Sequence, residues 1–266
     1  MSCVTIHSSV MPFSPHDLTE DGFLDGALRL RQPKRGHRAG HDAILLAAAV
    51  RARAGERVVE FGAGAGAAGL ALATRIRGLD LVLVEIDEAL AALARDNAAL
   101  NAIAANAVVL DVTAQAVIFA EAGLPPDSVD AVLMNPPFNP ASRHQTSPDA
   151  GRAAAHVDQG ETLARWVHAA RRILRPGGGL TLIWRAEGLG EVLAALEKGF
   201  GGVGVVPVHP GPDSAAIRVL VTASKGSRAP MELFPPLVLN DDTGQPTART
   251  GLILAGRSGV RTGTEA

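Results

Sequence analysis

Tyrosine is absent from this chain of 266 residues, tryptophan occurs twice, and Cys3 is the sole cysteine. A single cysteine excludes an internal disulfide, a cysteine-based zinc site and a CxxC redox pair, and it fits a reducing cytoplasm. No apolar run reaches the roughly 18 residues that a bilayer span requires. Residues 1–20 carry neither a basic n-region nor a continuous apolar segment, so secretion is not expected. The eight histidines show no HExxH or comparable ligand spacing, and no metal site is predicted. Neither GxSxG nor a Cys–His arrangement suggests nucleophilic catalysis. A formal charge of -2 gives the whole chain no general attraction for nucleic acid.

What the chain does have is a regular alternation of short apolar runs and helical patterns. Arg57–Phe61, Leu81–Glu85, Ala107–Leu110, Val129–Met134 and Leu180–Trp184 read as strands. Helices are predicted over Ala67–Arg75, Glu88–Asn101 with Asp87 as N-cap, Glu161–Leu174 and Gly190–Gly199. Pro176-Gly177-Gly178-Gly179 is a strong break after the third of these. Val203–Val208 and Ala216–Ala223 read as two late strands joined by a Pro/Gly turn with no helix between them. Such alternation predicts an α/β fold with a mostly parallel sheet, helices on both faces and one antiparallel strand near the C-terminus. Residues 1–20 and 256–266 are expected to be flexible, around a single domain at 21–255. Within it, 21–50 reads as an N-terminal cap, 51–224 as the nucleotide-binding core and 225–255 as an extension.

The segment Glu60-Phe61-Gly62-Ala63-Gly64-Ala65-Gly66 turns a strand tightly into a helix, which requires glycine torsions and leaves backbone open to a ligand. Gly64 to Gly69 also matches the dinucleotide fingerprint G-x-G-x-x-G, with Glu85 about twenty residues on. An NAD-dependent oxidoreductase and an S-adenosylmethionine-dependent methyltransferase are both compatible with that loop. Glu60 favours the second, because a carboxylate there suits an ammonium and repels a pyrophosphate. Asp111, closing the third strand, can accept from an adenine amine. Glu85 and Ile86 sit where ribose and adenine would be held.

The fourth strand delivers Asn135-Pro136-Pro137-Phe138 to the same sheet edge. A conjugated amine is a poor nucleophile because its lone pair is delocalised. The Asn135 side-chain oxygen and the Pro136 carbonyl can accept its hydrogens and turn that lone pair towards the methyl donor. Pro136 and Pro137 stiffen the loop, and Phe138 offers a ring for stacking. Positioning would supply most of the rate, with no metal and no strong base.

Arg29, Arg31, Lys34, Arg35 and Arg38 form a basic cluster around His37, open to two readings, a solvated surface or a phosphate-contacting patch. Arg143, His144, Arg152 and His156 follow the Asn-Pro-Pro-Phe segment in an irregular stretch, read either as a substrate-facing loop or as an uninvolved surface loop. Trp166 and Trp184 read as core or rim.

The flanks carry a narrower likeness. Phe23-Leu24-Asp25-Gly26, Arg29-Leu30-Arg31-Gln32-Pro33 and Gly36 to Leu46 are followed much later by Pro207-Val208-His209-Pro210, Arg218-Val219-Leu220-Val221 and Lys225 to Pro230. Together with Asn135–Phe138 these resemble the class I methyltransferases that make N6-methyladenosine next to the anticodon of a valine tRNA. The likeness runs from about residue 20 to about residue 255, and departs from the family's pattern at His37 and His41. It implies a Rossmann-like seven-stranded sheet, S-adenosylmethionine as cofactor and an anticodon-loop adenine of tRNA as substrate. By the same likeness Gly62, Gly64, Gly66, Glu85, Asp111 and Asn135 bind the cofactor. Gly40 and Asp42 line its cleft, and Arg31, Lys34, Arg35, Arg38, Arg152 and His156 meet the RNA.

Overall fold

The computed structural model describes residues 13–36, 38–137 and 148–262, with residues 148–159 as backbone only. An N-terminal hairpin pairs β1 (Leu18–Phe23) with β2 (Leu28–Pro33) in antiparallel register. Alternation in β2 turns Leu28, Leu30 and Gln32 inward and leaves the intervening Arg29 and Arg31 on the outer face. Leu28 and Leu30 are fully buried, which stabilises the docked hairpin by roughly 2 kcal/mol apiece. The expected flexible segment at 1–20 is therefore too long, since residues 18–20 are already strand; residues 1–12 lie outside the described region.

Next come α1 (His41–Ala49), β3 (Arg57–Phe61), α2 (Ala67–Arg75), β4 (Asp80–Glu85), α3 (Glu88–Leu100) and β5 (Ala105–Val109). They are followed by α4 (Ala116–Glu121), β6 (Val129–Met134), α5 (Pro148–Ile173), β7 (Leu174–Arg185) and α6 (Leu189–Leu196). The chain then runs through β8 (Phe200–His209), β9 (Arg218–Lys225), β10 (Glu232–Leu233), β11 (Leu237–Val238) and α7 (Ala248–Leu254). The principal strands lie in the order β8-β9-β7-β6-β3-β4-β5, and the two-residue strands β10 and β11 both pair with β8. From β7 to β5 neighbouring strands are parallel, while β9 runs antiparallel to both β7 and β8. This is the mostly parallel, Rossmann-like sheet with one antiparallel strand near the C-terminus.

Two apolar cores cover the sheet. One gathers α1, α2 and the hairpin leucines, and the other gathers Phe119 of α4 with Leu163, Val167 and Ile173 of α5. Asp87 caps α3 by accepting from the backbone N–H groups of Ala89 and Leu90. Arg75 caps the other end of α1, donating to the carbonyls of Ala47, Ala48 and Val50.

Several boundaries differ from the sequence reading. Helix α5 begins at Pro148, so the stretch containing Arg152 and His156 is helical and not an irregular loop. Strand β7 starts directly at Leu174, before the Pro/Gly break. The tail is docked through residue 262 and not free from 256. Val260 N donates to Ala48 O, and Thr222 Oγ1 donates to the Thr262 carbonyl. Val260 and Thr262 are both buried, and that contact with the end of α1 has no local signature in a polar, glycine-rich sequence.

Candidate active site

Because β3, β4, β5 and β6 are parallel, their carboxyl ends share one sheet edge. Residues at and just beyond those ends line one cleft of about 870 Å³: Glu60 within β3 and Gly62 and Gly64 after it, Glu85 closing β4 and Ile86 after it, Asp111 after β5, and Asn135 with Pro136 and Pro137 after β6. Gly40 and Asp42 at the start of α1, and Arg38 before it, complete the opposite wall. Leu90, Leu110 and Val112 supply apolar surface between the carboxylates.

The glycines have separate jobs. Gly62, Gly64 and Gly66 all have positive φ, which L side chains rarely adopt. A Cβ on Gly62 would lie 2.6 Å from the Trp166 ring, whereas at Gly64 it would meet nothing and only the torsion demands glycine. Gly66 does not line the cleft. A Cβ there would press on Leu70, Leu83 and Ala94, so this residue serves helix-on-sheet packing.

Glu85 is the organising carboxylate. Its Oε2 accepts from Gly64 N at 2.7 Å, and its Oε1 accepts from Ile86 N at 2.8 Å and Asp87 N at 3.0 Å. It thereby ties the glycine loop to the end of β4 while keeping lone pairs for ribose hydroxyls. Asp111 holds the following turn through Oδ1, which accepts from Thr113 N and Thr113 Oγ1, so its second oxygen remains to accept from an amine.

Glu60 behaves differently from both. It is 4% exposed, and burial pushes its carboxyl up to about 8, with Glu85 adding to the rise and the hydrogen bond from Gly69 opposing it. Glu60 Oε2 accepts from Gly69 N at 2.7 Å, in the first turn of α2. A Cβ on Gly69 would sit 2.5 Å from the Leu83 side chain and 2.7 Å from that oxygen, so the third glycine of the apparent dinucleotide fingerprint makes room both for the strand β4 and for a carboxylate. In a dinucleotide-binding loop the helix N-terminus faces the pyrophosphate. Here Glu60 takes the donor, which disfavours the oxidoreductase reading.

Asn135 closes the site. Its Oδ1 is buried and has no hydrogen-bond partner among the described residues, an arrangement that costs roughly 1–3 kcal/mol unless a donor fills it. Phe138, Arg143 and His144 lie outside the described residues, as do His37 and the side chains of Arg152 and His156.

The basic cluster is less available than its sequence suggests. Arg29 and Arg31 both pair with Glu20 across the hairpin, and Arg38 pairs with Asp21 at 2.7 Å. Lys34 and Arg35 are exposed and make no ion pair among the described residues. Asp42 is held by Arg218 at 3.0 Å, a contact 176 residues apart in sequence.

Three contributors are not among the site residues named from the sequence, where Trp166 reads only as core or rim. Trp166 reaches the cleft beneath Gly62 and packs edge-on against Phe61. Gln32, 2% exposed, bridges Asp21 Oδ2 and Ala39 N on the cleft wall. Asn97, fully buried, accepts from Arg31 N and donates to the carbonyls of Arg31 and Ala65, joining hairpin to glycine loop. Only the asparagine spacing of Asn97 and Asn101, one helical turn apart on α3, could have hinted at a shared face.

The set of groups suits S-adenosylmethionine. An unpartnered acceptor, a buried acid, a carboxylate at the ribose position and apolar walls fall in one cleft. Residues 40–210 match the model of the methyltransferase small domain family. A crystal structure of a predicted O-methyltransferase from Agrobacterium tumefaciens is 34% identical, with a TM-score of 0.69 over 82% of this chain and 98% of that one. The Thermus thermophilus 16S rRNA N2 methyltransferase, solved with AdoMet and guanosine, shares the fold at 20% identity and a TM-score of 0.54, covering 78% of this chain and 50% of that one. Ribosomal RNA large subunit methyltransferase G of Streptomyces avermitilis is 34% identical over 134 residues, which is 50% of this chain; the chain spans only 30% of that relative's length. The chain belongs to the methyltransferase small domain family and is an S-adenosylmethionine-dependent enzyme of the class I fold.

Proposed function

From that membership we propose that the enzyme methylates an exocyclic amine of a base in RNA, with adenine N6 in a tRNA anticodon loop as the specific acceptor. The observation that carries this reading is the buried, unpartnered Oδ1 of Asn135 in the cleft that also holds Glu85. An acceptor with no internal donor favours a substrate bearing an N–H. An amine has two hydrogens, so it can leave one on Asn135 while its lone pair faces the methyl group. A hydroxyl acceptor would need a base, which an amide oxygen is not.

S-adenosylmethionine, when bound, supplies the electrophilic methyl group. Glu85 would hold its ribose, the free oxygen of Asp111 its adenine amine, and Glu60 would face its charged aminopropyl end. Pro136 and Pro137 restrict the backbone at Asn135, so the acceptor is positioned before the base arrives. The target must leave its stack to reach so recessed an oxygen, and an anticodon loop pays less for that than a duplex. The Asn-Pro-Pro-Phe flanks support adenine and tRNA.

A second reading is methylation of a base amine in ribosomal RNA. The half-chain likeness to a protein named as a large-subunit ribosomal RNA methyltransferase favours it. Guanine also carries an exocyclic amine, so Asn135 would serve both.

The deciding experiment incubates the purified chain and methyl-labelled S-adenosylmethionine with bulk tRNA or with unmodified ribosomal RNA. The labelled nucleoside is then identified by mass. Labelled N6-methyladenosine from tRNA is the expected product. Labelled N2-methylguanosine from ribosomal RNA would replace the adenine reading, and label in protein alone would overturn the RNA reading.

A further inference from the structure

We propose that the groove between α5 and the Asp111–Ala114 turn holds the phosphate backbone of the RNA strand whose base enters the cleft; this rests on the RNA reading above. The groove, about 280 Å³, is lined by Val112, Thr113, Ala114, Arg165, His168 and Arg172 among others. Val112 lines the cleft as well, so the two concavities adjoin at one side chain.

Positions 165, 168 and 172 are three and four residues apart, which puts their side chains on one face of α5. Arg172 forms the fixed wall. Its Nη2 donates to Ala114 O at 3.0 Å, and its guanidinium lies 4.4 Å from the centre of the Phe119 ring. Its Nε is buried without a hydrogen-bond partner among the described residues. Arg165 and His168 are exposed beside it. Arg165 pairs with Glu161 at 3.4 Å, but both side chains are about two-thirds exposed, so water screens the pair and a phosphate can displace it. Among the described residues no acidic side chain lines the groove.

The hairpin gives the contrast. It sits over the α2 and α3 face, and the acids of β1 neutralise most of its cations. The groove sits over the α4 and α5 face, where Arg165 has the exposed Glu161 as its acidic partner and Arg172 forms no ion pair among the described residues. A nucleotide strand satisfies both concavities at once, because each planar base is flanked by phosphates. An acidic peptide offers the anions but no planar amine for Asn135.

The test uses the full chain with Arg165→Ala and His168→Ala combined. Both residues are exposed and outside the cleft, so folding and cofactor binding should survive. Binding of a labelled anticodon stem-loop RNA is followed by anisotropy across a salt series, and S-adenosylhomocysteine affinity by calorimetry. The expected result is an affinity for RNA lower by about tenfold. The slope of log K against log salt should flatten by roughly 0.7 for each lost phosphate contact, with unchanged cofactor-product affinity. Arg249→Ala, which removes a charge from the exposed side of α7, should alter neither.

RNA binding with an unchanged salt slope overturns the groove and leaves the RNA reading standing. An equal loss in Arg249→Ala also overturns it, by reducing the effect to net charge. Polyglutamate competing as well as RNA overturns the choice of partner. A wild-type chain that binds no RNA but methylates another acceptor overturns both readings together.

Discussion

Glu85 and Asn135 stand at the ends of the two strands that flank β3, yet they are finished to different degrees. Three backbone N–H groups already meet the Glu85 carboxylate, while the Asn135 oxygen is buried and meets no donor among the described residues. The cofactor half of the cleft is therefore built by the protein alone. The acceptor half is polar, recessed and incomplete, and a substrate amine completes it. A preorganised acceptor of this kind gains nothing in the free enzyme and acts where the reacting nitrogen sits.

The largest test of that difference is Asn135→Ala. Methyl transfer should fall by about 10²–10³-fold or more while S-adenosylhomocysteine still binds, as calorimetry would show. Loss of both together would mean that Asn135 belongs to the cofactor half.

Glu60 gives the next effect, and it is a pH dependence. Its carboxyl is raised from an ordinary 4.5 to about 8, so the folded chain keeps a proton that the unfolded chain releases. The associated stability is present below 4.5 and is lost as pH rises through about 8. At about 1.4 kcal/mol per pH unit this amounts to roughly 3–5 kcal/mol over the window. The Tm of the free protein should fall across that range, and Glu60→Gln should flatten the fall. An identical pH profile in the variant would place the titration elsewhere.

Glu85→Ala should weaken cofactor binding by about 10–100-fold and also lower Tm, because it strands the amides of Gly64, Ile86 and Asp87. Weakened binding at an unchanged Tm would show that the loop does not depend on this carboxylate. Asp111→Asn is the mildest change, since the amide oxygen can still hold Thr113. Cofactor affinity should drop by roughly three- to tenfold, with the rate at saturating cofactor unchanged. A lower saturated rate would move Asp111 from binding into chemistry.

Much of the site was legible because its residues follow strand ends. The runs at Arg57–Phe61, Leu81–Glu85 and Val129–Met134 correspond closely to β3, β4 and β6, and each brings a functional residue to the edge, Glu60 and Glu85 within the first two runs and Asn135 directly after the third. Periodicity gives that much without contacts. The hairpin was not legible, since Leu28 and Leu30 alternate for only a few residues and their partner surface on α2 and α3 is remote in sequence. The basic cluster was visible but its neutralisation was not, because Glu20 and Asp21 become partners only once β1 folds back on β2.

By itself, then, the sequence determined the order of strands and helices, the glycine torsions after β3, and the polar residue that each parallel strand presents at the common edge. These are local properties, set by side-chain period and backbone sterics. Tertiary structure alone decided that Glu60 is buried and takes the N–H of Gly69, that Trp166 supports Gly62, and that Asn97 clamps the hairpin to the loop. It also decided that Asn135 is left without a donor. Burial and hydrogen-bond satisfaction depend on which distant segments pack together, and no stretch of this chain carries that information in its own residues.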